Sequence, residues 1–291
     1  MKVRAWLAAG VLAWAGVAQA AGYAVVDAVQ APAWVERGES RQPLAPGMEL
    51  RNHDRLVTGA GARAVVQLAD GSAVKLGENA QMGVNALGKR EGGVFTAAFD
   101  VAKGAFRLTT DIFRKYQTRR AINIRAGTVT AGVRGTDLWG KSDSEKDLIC
   151  LLEGRIVVSH PQGEATELSE PLQYYAAAKG EAPGPVSFID QEQLMAWAAQ
   201  TELQDGVGTA KRGGRWAVTL TTAESQAAAL EVYDRAVASG VAPKIRPVKG
   251  SDESYRYELS VRQIASEAQA RQVAERLARE LDIPAPRVIR R

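Results

Sequence analysis

The side chains best suited to proton shuttling, metal ligation or nucleophilic attack are scarce in this sequence. It holds two histidines, His53 and His160, and one cysteine, Cys150. Each histidine sits in a polar, turn-like stretch with no Cys, Asp or Glu at ligand spacing, which predicts solvent-exposed loop residues rather than a metal site. A nucleophile–histidine–acid set would have to recruit one of them, and neither neighbourhood suggests it. Cys150 lies inside the apolar run Leu148-Ile149-Cys150-Leu151-Leu152, which predicts a buried, inert thiol. No Gly-rich phosphate loop joins a strand to a helix, and no two carboxylates stand apart as acid and base. With no set of catalytic roles assembled, the expectation is a non-enzymatic protein that needs no cofactor and no metal.

Binding chemistry is easier to place. Near the C-terminus, Trp216-Ala217-Val218-Thr219-Leu220, Lys244 to Val248 and Tyr255 to Val261 read as strands, and alternation assigns their side chains to two faces. Trp216, Val218 and Leu220 share one face, as do Tyr255, Tyr257, Leu259 and Val261. The other face then carries Ala217, Thr219, Lys244, Arg246, Arg256, Glu258 and Ser260, with Arg262 continuing the row. Short hydroxyls beside fork-shaped guanidinium donors suit ligands bearing hydroxyl, amide or carboxylate groups. RNA would need aromatic side chains on that open face for stacking, and the tyrosines are expected to point the other way. Near-neutral overall charge also argues against a dedicated polyanion binder: the formal net charge is +4, and falls to +2 once Lys2 and Arg4 are removed.

Those two charges belong to the N-terminus, which has the three parts of a cleavable secretory signal. Lys2 and Arg4 precede an uncharged run from Ala5 to Val17, and Ala18-Gln19-Ala20 places small residues where a signal peptidase reads them. Cleavage is expected between Ala20 and Ala21. The competing reading is a membrane anchor, but the run falls short of the roughly 20 residues a spanning helix needs. No later stretch is long and apolar enough to span a bilayer, so the expected product is soluble and periplasmic. With a single cysteine it has no intrachain disulfide and must be stable through its core.

The length suggests two domains after a signal peptide of residues 1–20. From residue 23 to about 180 the sequence is a series of short β-type runs punctuated by Gly, Pro and Asp. Ala62 to Leu68 and Ser72 to Leu76, for example, flank the hairpin signal Asp70-Gly71. This predicts an all-β domain, either a sandwich or a solenoid-like stack. Residues 111–120 read as a polar, basic insertion. Lys179 to Pro185 opens a linker over 181–214, with an amphipathic helix expected near 191–204 and a flexible Gly-rich stretch from Gly206 to Gly214. Residues 215–291 then repeat strand–helix–strand twice. Thr221 and Glu224 read as a capping box opening a first helix to Ser239, buried through Ala227, Leu230, Tyr233 and Val237. Ser266 and Gln269 open a second, buried through Ala270, Val273, Leu277 and Leu281. The order βαββαβ predicts a small α+β, ferredoxin-like split βαβ fold with helices on one sheet face.

Two family resemblances follow from these motifs. Pro43 to Gly47, Asp54-Arg55-Leu56-Val57-Thr58-Gly59 and Ala64 to Ser72 resemble the FecR domain of bacterial envelope proteins. So do Val133-Arg134-Gly135-Thr136-Asp137-Leu138, with its Arg-Gly-Thr signature (Arg134, Gly135, Thr136), and Leu152 to Val158. The resemblance implies an all-β domain outside the cytoplasm that mediates protein or ligand interaction. The sigma-factor relay of well-known members does not carry over, because they have a cytoplasmic segment and a membrane helix where this chain has a cleavable signal. Residues 213–290 resemble a SPOR domain, a module that binds peptidoglycan glycan strands lacking stem peptides. Trp216-Ala217-Val218 and Tyr255-Arg256-Tyr257 carry that likeness, and Arg256 aligns with the family's arginine. The family's Val-Gln is Val218-Thr219 here, which removes an amide able to bond a sugar. Together the resemblances imply an envelope adaptor that holds denuded glycan through its C-terminal module and presents its β domain to another envelope protein. The alternative is a protein-interaction or envelope-signalling protein that binds no glycan.

Overall fold

The computed structural model describes residues 22–110, 119–133, 135–249 and 254–291. Residues 1–21, where a signal sequence is expected, most of the 111–120 insertion and Arg134 lie outside the described residues.

The first two-thirds of the chain is built by crossing repeatedly between two stacked sheets. β1 (Ala24–Gln30) lies in the first sheet; β2 (Ala33–Arg37), β3 (Ser40–Pro43) and β4 (Arg55–Thr58) lie in the second. The chain returns for β5 (Arg63–Leu68) and β6 (Ala73–Leu76), then crosses again for β7 (Gln81–Lys89). β8 (Phe95–Thr109) belongs to both sheets. Its first half pairs with β7, and its second half pairs with β6. Between the halves, Gly104 takes φ 93°, and a Cβ there would lie 2.5 Å from Ala80. Only glycine meets both demands without strain.

β9 (Arg120–Ala126) runs parallel to β8, and β10 (Val129–Val133) follows it in the second sheet. β11 (Asp137–Ser142) and β12 (Lys146–Glu153) join the first sheet, β13 (Ile156–Ser159) and β14 (Thr166–Leu168) the second. β15 (Gln173–Ala178) and β16 (Ser187–Phe188) finish on the first. Strand alternation sends one set of apolar side chains inward from each sheet, and Val26, Leu56, Val66, Phe99, Phe106, Ile124, Ile149 and Val158 fill one continuous core. The result is a two-layer β domain that winds along its length.

The segment after β16 is docked rather than free. α1 (Gln191–Ala199) is capped by Asp190, whose carboxylate accepts from the Gln193 N–H at 2.7 Å. It stops well short of residue 204. Trp197 stacks on Trp139 with ring centroids 4.7 Å apart, and Tyr174 meets it edge-on at 6.3 Å. Glu202 accepts from Lys75 Nζ at 2.6 Å and from Arg107 at 3.0 Å. Gln30 brackets Gln204, donating to its carbonyl at 2.5 Å and accepting from its N–H at 3.0 Å.

The Gly-rich stretch from Gly206 to Gly214, expected to be flexible, instead contains β17 (Ala210–Lys211), which pairs with β1 on one side. On its other side is β20 (Tyr255–Ile264) of the C-terminal module, which makes the junction. The two halves thus share sheet hydrogen bonding. Arg276 Nη1 donating to Ala31 O at 3.0 Å and Trp34 Nε1 donating to Val237 O at 3.4 Å add to the seam. An apolar cavity of about 120 Å³, lined in part by Val29, Leu44, Pro46, Val241, Val261 and Val273, lies along it.

In the C-terminal module the order is β18 (Trp216–Ala223), α2 (Gln226–Ala238), β19 (Lys244–Lys249), β20, α3 (Glu267–Leu281) and β21 (Arg287–Arg290). Across the sheet the strands run β19, β20, β18, β21, all antiparallel neighbours. The Thr221–Glu224 pattern does not cap α2. Thr221, Thr222 and Ala223 stay in the ladder opposite Leu259, Glu258 and Tyr257, and Ser225 caps instead, its hydroxyl accepting from the Ala228 N–H at 3.2 Å. The buried face of α2 is displaced accordingly: Ala229 and Ala236 are buried, whereas Ala227 and Leu230 are exposed. Ser266 does cap α3, which buries Ala270, Val273, Leu277 and Leu281 against the sheet.

Candidate functional site

Register decides which residues share the sheet face turned away from α2 and α3. Val218 stands opposite Val261 and Val288, and all three belong to the core beneath the helices. The adjacent row, Lys244, Ser260, Thr219 and Arg287, runs across all four strands on the other face. Arg246 pairs with Glu258 and Val248 with Arg256, which keeps those residues on that face too. Ala217 lies opposite Ile289 there. All seven residues singled out on this face therefore lie together: Arg256, Thr219, Ala217, Glu258, Ser260, Lys244 and Arg246.

Their accessibility differs from the expectation of a uniformly bare surface. Ala217 and Ser260 are 0 % exposed and Thr219 is 4 % exposed. These small residues form the floor of the face, with the longer side chains of Lys244, Arg246 and Arg287 on the same side of the sheet. Arg262 Nε donates to Ser260 Oγ at 3.2 Å. Glu258 Oε1 accepts from Arg291 at 2.7 Å and lies 3.6 Å from Arg246. Burial lowers the Arg262 pKa from its ordinary value, and the like charges of Arg291 and Arg246 lower it further, with Glu258 opposing them. Arg256 stands at the far end of β20 with its side chain 47 % exposed, 3.4 Å from Glu224. Arg287 and Arg291, not singled out in the sequence, also stand by these residues. Their partners become visible only once β21 is paired beside β18. Tyr255, expected to point inward, is 59 % exposed.

The residues that carry the FecR resemblance are occupied elsewhere, in holding the β domain. Asp54 is buried and accepts from Arg37 at 2.7 and 2.6 Å and from the Arg51 N–H at 2.8 Å. Thr58 Oγ1 donates to Gly77 O at 2.7 Å and accepts from the Ala80 N–H at 2.8 Å. Asp70 accepts from the Ser72 hydroxyl at 2.7 Å and its N–H at 3.1 Å, fixing the hairpin. Gly135, with φ 79°, and Thr136 turn the chain from the second sheet into the first. There Thr110 is bound three times to Thr136: its Oγ1 accepts from the Thr136 N–H at 2.6 Å and donates to the Thr136 carbonyl at 3.0 Å, and its N–H donates to that carbonyl at 2.9 Å.

The remaining candidates for chemistry are dispersed. His53 is exposed, whereas His160, expected in solvent, is only 8 % exposed and accepts from the Gln162 N–H at 3.1 Å. That bond closes a tight turn after β13, and the residue lines a cleft with Arg125, Thr128 and Thr130. Cys150 is fully buried, and burial pushes its thiol pKa up to about 12. Among the described residues no three His, Cys, Asp or Glu side chains gather as a metal cluster, and no helix is long and apolar enough to cross a membrane.

The two-sheet architecture and its pinned turns define a class of β-rich domain. Residues 54–157 match the family model described as FecR protein. No curated protein sequence matches the chain. Among solved structures, the chain is similar to two crystal structures from Parabacteroides distasonis ATCC 8503 whose proteins are assigned as anti-sigma factors. One, at 2.50 Å resolution, is 13 % identical with a TM-score of 0.40, the match covering 79 % of this chain and 92 % of the other. The second, at 1.65 Å, is 12 % identical with a TM-score of 0.41, covering 81 % and 99 %. A likeness at this level assigns no function.

Proposed function

We propose that this protein is an exported, non-enzymatic adaptor of the cell envelope. Its FecR-like β domain engages another envelope protein, and its C-terminal module, read as SPOR-like, holds peptidoglycan glycan. The observation that supports the second half most is the sheet face opposite α2 and α3, where exposed Arg246 and Arg256 border a floor of hydroxyl-bearing Thr219 and Ser260. Guanidinium groups offer several fixed donors to hydroxyl, amide and carboxylate oxygens, the groups a glycan presents. Secretion and cleavage at Ala20–Ala21 would place the chain in the periplasm, where such strands are found.

Retention of the full secreted chain on purified sacculi, with and without amidase treatment, tests the reading. Binding should rise after amidase exposes bare glycan, and Arg256→Ala should lower it about tenfold, the cost of one charge-assisted hydrogen bond. No retention on either preparation removes the tether.

A second reading has its own motive: Glu258 already engages Arg246 and Arg291, and Thr219 stands where the family's Gln would reach a sugar. On this reading the face binds a protein. A photocrosslinker at position 256, which is accessible where Thr219 is not, would then yield one dominant protein adduct in cells.

A further inference from the structure

Arg246 of β19, Arg262 of β20 and Arg291, just beyond β21, converge on this face around the side-chain carboxylate of Glu258. Arg246 and Arg291 both reach the same oxygen of Glu258, at 3.6 and 2.7 Å, and Arg262 bonds Ser260 beside them. The set carries three positive charges against one negative. Like charges placed this close repel one another, an arrangement that an added anion relieves. A second observation points the same way. Thr219 Oγ1, on the floor directly opposite Ser260, is buried and has no hydrogen-bond partner, although a buried hydroxyl is ordinarily paired.

From these residues we infer that Arg246, Arg262 and Arg291, with the Thr219 hydroxyl beneath them, form a carboxylate-accepting subsite. This deepens the glycan reading and rests on it. A glycan strand stripped of stem peptides bears free lactyl carboxylates, because the amide bond that joined each peptide to the sugar has been hydrolysed. Guanidinium forks bind such a carboxylate with two parallel N–H donors. Intact strands carry their carboxylates on the peptides instead, so the subsite would distinguish bare glycan from substituted glycan by charge position as well as by bulk. Arg256, farther along β20, would contact the same strand without belonging to the subsite.

The test compares the full chain on three sacculus preparations: untreated, amidase-treated, and amidase-treated with carboxylates converted to neutral methylamides. The inference expects tightest binding to the second and at least a tenfold loss on the third. Arg262→Gln with Arg291→Gln should bind the second preparation at least tenfold more weakly and lose nothing further on the third. Thr219→Val should weaken binding severalfold while raising the thermal midpoint, since it removes an unpaired buried hydroxyl; Thr219→Ser should restore affinity. Equal binding to the second and third preparations would overturn the carboxylate subsite and leave the glycan reading standing. Tightest binding to untreated sacculi would assign the arginines to peptide carboxylates and overturn it equally. Binding to none of the three would remove the glycan reading, and the subsite with it.

Discussion

Asp147 shows how much of this fold hangs on single buried polar groups. Its carboxylate is almost fully enclosed, yet it accepts from Lys179, from Ser142 Oγ at 2.7 Å, and from the Thr128 N–H and hydroxyl at 3.0 and 2.9 Å. Burial alone would raise its pKa. Lys179, Ser142 and Thr128 outweigh that, and its pKa lies below the usual carboxylate value. A depressed folded-state pKa means that the unfolded chain binds the proton first, so the stabilisation is complete above about pH 5 and is lost as pH falls through the folded value. Asp147→Asn should therefore cost about 2–4 kcal/mol at pH 7 and flatten the acid side of the stability curve below about pH 4, as read by denaturant titration at several pH values. Gly127 packs against the same carboxylate with φ 56°, and a Cβ there would lie 2.2 Å from Asp147 Oδ1. Gly127→Ala should lose about 2–4 kcal/mol by the same measurement, combining left-handed strain with overpacking. Neither dependence is legible in sequence, because Asp147 reads as a polar residue at a strand start until Lys179 and Thr128 are folded onto it. Cys150 was legible, since its flanking leucines and isoleucine leave a strand residue nowhere but the core.

At the scale of elements, local signals succeed where no longer-range pairing competes with them. Ser266 caps α3 as its spacing predicts, because nothing else claims the residues around it. Thr221 and Glu224 offer the same pattern, but β18 keeps three more ladder positions against β20, and those backbone bonds outrank a cap. The linker reading failed for a related reason. Its composition is that of a loop, yet Gln30, Lys75 and Arg107 wait on distant strands to receive it. The stack of Trp197 on Trp139 is the apolar anchor of this strap. Trp197→Ala should destabilise the protein by about 1–3 kcal/mol and hasten proteolytic cleavage between residues 180 and 205, visible as an early nick in a digestion time course.

For the molecule as a whole, the β-rich character and the apolar alternation of many runs were readable, but the strands before residue 62 and the assignment of strands to two sheets were not. Alternation reports an inward face without saying which sheet a strand joins, and the parallel pairing of β8 with β9 has no local signature. The junction between the halves is the larger consequence. With β17 hydrogen-bonded to both β1 and β20, the C-terminal module is held against the β domain, and one cooperative unfolding transition is expected in calorimetry of the full chain. Two well-separated transitions would mean that the seam contributes little. A held junction also fixes the direction in which the basic face looks, so a strand bound there lies at a set orientation to whatever engages the β domain.

The most direct measurement is a backbone-amide NMR titration of the chain from residue 21 onward with a short glycan oligomer freed of peptides. The account predicts shifts that concentrate at Arg246, Arg256, Glu258, Ser260 and Thr219 and leave α2, α3 and the first sheet nearly unmoved. Shifts gathered on the helices or the β domain, or none at saturating oligomer, would contradict it.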